Sequence, residues 1–258
     1  MVSPGSVSTS STPSSRLCDR AETTSPSSER SRFYGRRHGH RLSALQRQLL
    51  AQELPRRDVI LPPAGVALDP AILFSPAVTA VWLEIGFGSG EHLLAQAEAN
   101  PGVGLIGCEP YINGIAAALR PLSERPDLPV RLTMQDARAV LWTVADRSLA
   151  RVFLLFPDPW PKRRHHKRRF VQPAALDQLA RAMIDGGEFR FATDHREYAR
   201  WTLGHVLRHG AFEWLARSPN DWRSRPADWP ATRYERKAER AGRAPIFLRF
   251  RRRPRLGA

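Results

Sequence analysis

Cysteine is scarce in this chain. Cys18 and Cys108 are the only two in 258 residues, and they lie far apart. No CxxC spacing exists, so neither a disulfide framework nor a cysteine metal site is expected, and a reducing compartment fits. Long apolar runs are also missing. Nothing approaches the ~18 residues of a membrane span, and the N-terminus lacks the apolar core of a secretory signal. A cytosolic protein is expected, with no membrane partner. No His/Cys/Asp cluster has ligand spacing, so no metal is expected. Acidic residues are few: 25 Asp and Glu face 40 Lys and Arg, giving a net charge of +15 and a pI of about 11.2. A domain this basic attracts anionic polymers by counterion release, which makes nucleic acid the leading partner class. A membrane surface is the alternative, but no basic amphipathic helix with a wide apolar face supports it.

Large apolar residues are nearly absent from residues 1–31, which hold eleven Ser and four Thr. Such a stretch cannot bury enough surface to offset its ordering entropy, so a disordered tail is expected. Asp19, Glu22 and Glu29 count against a transit peptide. Residues 32–71 read as a basic N-terminal arm, with Leu42, Leu45, Leu49 and Leu50 at helical spacing. The main domain is expected over 72–252, with a short tail over 253–258.

In the main domain, short apolar runs alternate with helical stretches. Strands are expected at 81–86, 104–110, 130–137, 151–158 and 186–194, and helices at 91–100, 112–120, 172–183 and 196–209. Segments 212–217 and 245–251 are expected as late strands on an antiparallel edge. The central strands are apolar on both faces, as a helix-covered parallel sheet requires. The expected fold is α/β: a doubly wound, mostly parallel, Rossmann-like seven-stranded sheet.

The first strand runs into Gly86-Phe87-Gly88-Ser89-Gly90. Glycines there allow tight turning and let backbone N–H groups approach a ligand. The pattern is GxGxG, and residue 91 is Glu where a dinucleotide site expects a third small residue. A carboxylate beside a helix N-terminus disfavours phosphate, so NAD is demoted. Glu109 follows nineteen residues after Gly90, where an acid accepts hydrogen bonds from a ribose diol. Asp136 is expected at the end of the third strand, facing an adenine amino group. Glu84 precedes the glycines, facing a ligand ammonium or shaping the loop. Ribose, adenine and a positive end without phosphate describe S-adenosylmethionine. The alternative is that each acid only caps a helix or faces solvent.

Residues 156–169 read FPDPWPKRRHHKRR. Asp158 is expected at the end of the fourth strand, in the crevice, with Pro157 and Pro159 stiffening the backbone around it. Trp160 is placed to wall a pocket or stack on a base. Lys162, Arg163, Arg164, Lys167, Arg168 and Arg169 are expected to hold a nucleic-acid backbone while Asp158 handles one base, because phosphate contacts position and base contacts specify. His165 and His166, set among these cations, are expected to contact phosphate or solvent.

LEIGFGSGEHL, GCEPYINGI, QDAR, LFPDPWPKRRHHKRRFVQP, FATDHREYA and TRYERKAERAG resemble, in order, the motifs of bacterial tRNA (guanine-N7-)-methyltransferases. The resemblance covers roughly residues 33–252. It implies a class I methyltransferase fold, S-adenosylmethionine as donor, and N7 of the variable-loop guanine at tRNA position 46 as acceptor. It implies cofactor contacts for Glu84, Glu109, Asp136 and Asp158, with Gly86, Gly88 and Gly90 in the glycine turn, and a catalytic role for Asp158. It places Lys162, Asp194, Thr232 and Glu235 on the substrate side. Whether Thr232 and Glu235 grip the base or the methionine end stays open, as does monomer against homodimer. Rival readings are an amino-group methyltransferase acting on another nucleic-acid base, a non-catalytic tRNA-binding protein and, third, a dehydrogenase.

Overall fold

A computed structural model describes Met1, Gly35 and residues 37–255. The expected Ser-rich tail over 1–31 and the last three residues of the C-terminal tail lie outside the described residues.

Among the described residues, the sheet contains β1 (Ala80–Ile85), β2 (Val103–Cys108), β3 (Val130–Thr133), β4 (Leu149–Leu155), β5 (Met183–Thr193), β6 (Phe212–Trp214) and β7 (Ile246–Arg252). The strand order is β3-β2-β1-β4-β5-β7-β6. The first five strands in this order pair in parallel, and β7 pairs antiparallel with both β5 and β6. The helices are α1 (Ala44–Gln52), α2 (Leu54–Arg57), α3 (Glu91–Ala99), α4 (Ile112–Glu124), α5 (Ala137–Thr143), α6 (Pro173–Ala182), α7 (Arg196–His209), α8 (Asn220–Arg223) and α9 (Arg233–Arg240). The doubly wound, mostly parallel sheet with an antiparallel edge is the architecture that the alternating pattern implies.

Both faces of the sheet are covered. Leu83, Val152, Phe189 and Phe191 pack with Leu176, Leu179 and Val206 in one cluster. Trp82, Leu105 and Phe153 pack with Leu93, Ile115, Leu119 and Leu122 in another. Each fully buried Leu or Phe contributes about 2 kcal/mol by leaving water.

The N-terminal segment is built into this core. Val59, Leu68 and Phe74 belong to the first cluster. Arg57 is buried, and its guanidinium donates to the carbonyls of Leu122, Arg125, Leu128 and Val130 at 2.9–3.4 Å. Two of these acceptors lie at the end of α4, which runs past Pro121 for a further turn where the sequence reading stops at residue 120. Arg57 satisfies carbonyls that a helix C-terminus leaves open.

Several boundaries differ: β5 begins three residues earlier than expected and β2 and β6 end two and three residues earlier, and at three further places local chemistry sets the end. β3 stops at Thr133, and Asp136 instead caps α5, its Oδ1 accepting from Arg138 N at 2.9 Å. β4 stops at Leu155, because Phe156 turns to φ +50° and Pro157 has no N–H to give a ladder. Asp158 therefore lies three residues beyond the strand. The C-terminal tail begins later than expected: Arg253 N donates to Ala211 O. The Arg255 guanidinium donates to the carbonyls of Ala180, Arg181 and Met183 and pairs with Asp185.

Candidate active site

The strand order reverses between β1 and β4. Connections depart to opposite faces at such a point and leave a crevice beyond the carboxyl ends of the strands. A cleft of about 340 Å³ lies there. Ile85, Gly86, Gly88, Cys108, Glu109 and Asp136 wall it from the ends of β1 to β3, and residues 154–158, Trp160 and Arg168 from the end of β4. Tyr234 of α9 completes the wall beside the glycine turn.

The turn needs its glycines. Gly86, Gly88 and Gly90 have φ of +72°, +62° and +83°, a region that side chains rarely tolerate. Gly88 is further crowded: a Cβ there would meet the Tyr234 ring, and a Cβ on Gly114 of α4 would collide with the Gly88 carbonyl. Gly90 is not on the cleft wall. It caps α3 and packs against Ala118.

Glu109 holds this turn. Its Oε2 accepts from Gly88 N at 2.8 Å and its Oε1 from Tyr111 N at 2.9 Å. Each oxygen keeps a lone pair for a further donor. Burial raises the Glu109 pKa, and the two backbone N–H groups oppose that rise. Asp136 walls the cleft while it caps α5, with Oδ2 3.6 Å from Arg138 Nη1. The capping alternative raised for these acids thus describes Asp136, although its position is still on the cleft.

Glu84 is elsewhere. It is 3% exposed, and its Oε2 lies 2.8 Å from Nδ1 of His92, itself 2% exposed. The pair ties β1 to α3 behind the glycine turn, the loop-shaping position, and Glu84 is not on the cleft wall.

Asp158 stands open at the cleft, with no hydrogen bond or ion pair among the described residues. Desolvation by its surroundings raises its pKa. The backbone around it is strained, since Phe156 and Trp160 take φ of +50° and +43°. Each such residue costs about 1–3 kcal/mol and persists only when neighbours hold it. Here the neighbours are identifiable. Phe156 N donates to Ala192 O at 2.8 Å. Arg169 Nε donates to Pro159 O at 2.9 Å and Nη2 to Trp160 O at 3.4 Å.

Arg169 corrects an expectation. Its sequence neighbours suggest one more RNA-binding cation, yet it is 0% exposed. Its guanidinium forks onto both carboxylate oxygens of Glu197 and lies against the rings of Tyr198 and Trp201 at 4.9 and 5.0 Å. A planar guanidinium can satisfy a carboxylate and two carbonyls at once. Arg169 therefore clamps the PDPW turn and cannot reach a phosphate.

The rest of the basic block forms a 3₁₀ turn over Arg163–Arg168. Lys162, Arg163, Arg164 and Lys167 are exposed. Arg168 lies 4.8 Å over the Trp160 ring. His165 is held below its ordinary pKa by desolvation first and then by Arg168, Arg164 and the flanking lysines. His166 is half-buried, edge-on to Trp201 at 5.2 Å and 3.9 Å from Glu197.

The four expected substrate-side residues are not on the cleft wall. Lys162 is exposed at the start of the 3₁₀ turn. Asp194 pairs with Arg243 at 2.7 Å. Thr232 caps α9 by accepting from Glu235 N at 3.2 Å. Glu235 is buried and pairs with Arg225 at 3.0 Å, and burial still raises its pKa. Tyr234, between them, is the residue of that motif on the wall. Glu91 supports it from below: its Oε2 accepts from Arg233 N at 2.7 Å and lies 3.5 Å from Arg236. The sequence does not single out Tyr234, His92 or Glu197, and it marks Glu91 only as a bar to phosphate, not as a support of α9. The Thr-x-x-Glu pattern of residues 232–235 is a helix-start signal that could have located Tyr234 on a helix. Among the described residues, no group of His, Cys, Asp or Glu could hold a metal ion.

A family model described as putative methyltransferase matches residues 78–248. The chain is 54% identical over 231 residues to a tRNA (guanine-N(7)-)-methyltransferase of Rhodospirillum rubrum, covering 88% of this chain and 90% of the relative. It is 48% identical over 236 residues to another from Paramagnetospirillum magneticum, covering 91% and 98%. Among solved structures, the 16S rRNA methyltransferase KamB aligns with a TM-score of 0.48 at 14% identity, covering 69% of this chain and 89% of that one. With such identity along nearly the whole of both chains, and the glycine turn and PDPW turn facing one cleft, the chain belongs to the tRNA (guanine-N(7)-)-methyltransferase family.

Proposed function

We propose that this protein transfers the methyl group of S-adenosylmethionine to N7 of guanine 46 in the variable loop of tRNA. The observation that carries this reading is the Asp158 carboxylate: open to the cleft, without a partner among the described residues, on a clamped turn beside Trp160 and Arg168. The cleft has the features a donor nucleoside needs. Glu109 keeps lone pairs for a ribose diol, Asp136 is placed for an adenine amino group, and the glycine turn presents backbone without side chains. When bound, S-adenosylmethionine supplies an electrophilic methyl group on a sulfonium.

Guanine N7 carries a lone pair and no proton, so no general base is required. Orientation then supplies most of the acceleration, and well-placed reactants gain roughly 7–11 kcal/mol. Asp158 accepts from guanine N1–H and the 2-amino group, a donor pair that adenine lacks. That edge lies across the ring from N7, so a carboxylate gripping it turns N7 away from its own negative charge. The same carboxylate stabilises the positive charge that the methylated ring acquires. No helix among the described residues is long and apolar enough to cross a membrane, and we infer that the protein works in the cytosol, where tRNA is.

The test is incubation with unmodified tRNA transcript and methyl-labelled donor, followed by nucleoside analysis. N7-methylguanosine at position 46, revealed by reductive cleavage at that site, is the expected product. Label on an exocyclic amine would favour the amino-group alternative, and no product would refute both. A second prediction concerns the donor alone. Gly114→Ala normally strengthens a helix by about 1 kcal/mol. Here the added methyl collides with the Gly88 carbonyl and displaces the turn that Glu109 holds. S-adenosylhomocysteine affinity, measured by calorimetry, is expected to fall at least about tenfold, and Tm to fall as well, because the clash is with backbone and overpacking of about 1–3 kcal/mol outweighs the helix gain.

A further inference from the structure

We propose that the outer face of α9 is a second phosphate-binding rim that grips the tRNA backbone beside the cleft, separate from the 162–168 turn. The proposal rests on the reading of tRNA as substrate. Arg233, Arg236, Lys237 and Arg240 are all exposed. At 3.6 residues per turn they fall within an arc of roughly 100°. Glu235 and Ala238, on the opposite side of the helix, are buried. Arg243 is exposed just beyond the C-terminus.

Like charges at three- and four-residue spacing destabilise a free helix, so this one is held by other means. Thr232 caps it, Glu235 anchors it on Arg225, and Glu91 binds its first turn. Those anchors leave the stripe to the outside. The acids near it are Glu91, Asp194 and Glu239. Glu91 is engaged by the first turn of the helix and by Arg236, and Asp194 by Arg243. Glu239 sits on one flank of the stripe. Lys237 and Arg240 have no partner among the described residues.

The place of the stripe points to its ligand. Tyr234, on the other flank, is part of the cleft wall, as are Trp160 and Arg168 next to the known basic turn. A base held in the cleft therefore brings its own backbone past both segments. The stripe is about 10 Å long, enough for neighbouring phosphates and too exposed for a buried ligand. A chain of phosphodiesters is the occupant that fits.

The test is the double variant Lys237→Glu/Arg240→Glu, with Lys237→Gln/Arg240→Gln as the milder pair. Binding of tRNA transcript is followed by fluorescence anisotropy across a salt series. The glutamate pair is expected to weaken tRNA affinity at least about tenfold and to lower the slope of log K against log salt by about 1–2. KM for tRNA rises, kcat stays within about twofold, and S-adenosylhomocysteine binding is unchanged. The glutamine pair shows the same pattern at smaller size. Unchanged affinity and slope in either folded variant overturns the proposal, as does weaker tRNA binding at an unchanged slope. If wild-type protein binds no tRNA, the substrate reading itself has failed, and that control separates the two failures.

Discussion

Asp158→Ala is expected to lower kcat by at least about 10²–10³-fold, the usual loss when a preorganised charge-stabilising group is removed. S-adenosylhomocysteine affinity should stay within about tenfold, because Glu109, Asp136 and the glycine turn remain. Single-turnover kinetics with saturating tRNA read this directly, and wild-type-like turnover would remove Asp158 from the mechanism. Asp158→Asn should be nearly as impaired. Its amide oxygen accepts one hydrogen bond, but its NH₂ meets the guanine 2-amino group as a second donor. The wild-type pH profile carries a matching signature. The ionised carboxylate is the active form, and desolvation raises its pKa. The rate should therefore rise with pH and level off above a pKa higher than the ordinary value of about 3.9. In Asp158→Ala that acid limb should vanish.

Arg169→Ala is expected to be the most damaging change in the basic block, for a reason unrelated to RNA. It removes a fully buried guanidinium, empties the space between Tyr198 and Trp201, and leaves the Pro159 and Trp160 carbonyls without their donor. The loss should be about 3 kcal/mol or more, near the lower bound for breaking a buried ion pair because Glu197 is half exposed and can rehydrate. Thermal melts measure it. kcat should fall because Asp158 loses its clamp, while the salt slope of tRNA binding stays as in wild type. A phosphate contact would instead reduce that slope by about 1. Arg169→Lys keeps the charge but cannot fork, and should recover only part of the stability and rate. The Glu197 side of the pair adds a pH dependence. Its hydrogen bond to Arg169 holds the Glu197 pKa below the usual range. A depressed pKa contributes stability above the unfolded value, about 4.3, and that contribution disappears as pH falls through the folded value.

Much of this is legible in the sequence. Apolar runs such as VWLEI and VFLLF announce buried strands, and the alternation with helical stretches selects a doubly wound sheet. GxGxG after the first strand and PDPW after the fourth mark the two ends of the cleft, since glycines and prolines write backbone geometry into the sequence. What escaped was tertiary. Nothing local distinguishes Arg169 from Arg168, yet one is buried on Glu197 and the other reaches the cleft. Glu84 lies inside β1, level with Gly107, and pairs with His92 of α3, whereas Glu109 lies one residue past the end of β2 and faces the cleft; only the register of the sheet separates the two. α9 shows almost no apolar period because Ala238 is nearly all it buries, so only its Thr-x-x-Glu start could have revealed it. The left-handed residues Phe156 and Trp160 carry no composition signal at all.

The docking of Arg57 has a consequence for how the chain is made. The carbonyls it satisfies lie 65 to 73 residues later, and Val59 bridges to Leu132. At ~5–20 residues per second of synthesis, a nascent chain waits roughly 3–15 s between exposing this cation and completing its seat. Through that interval Val59, Leu68 and Phe74 have no core to enter, so the start of the domain is the part that a ribosome-bound chain must keep from sticking elsewhere.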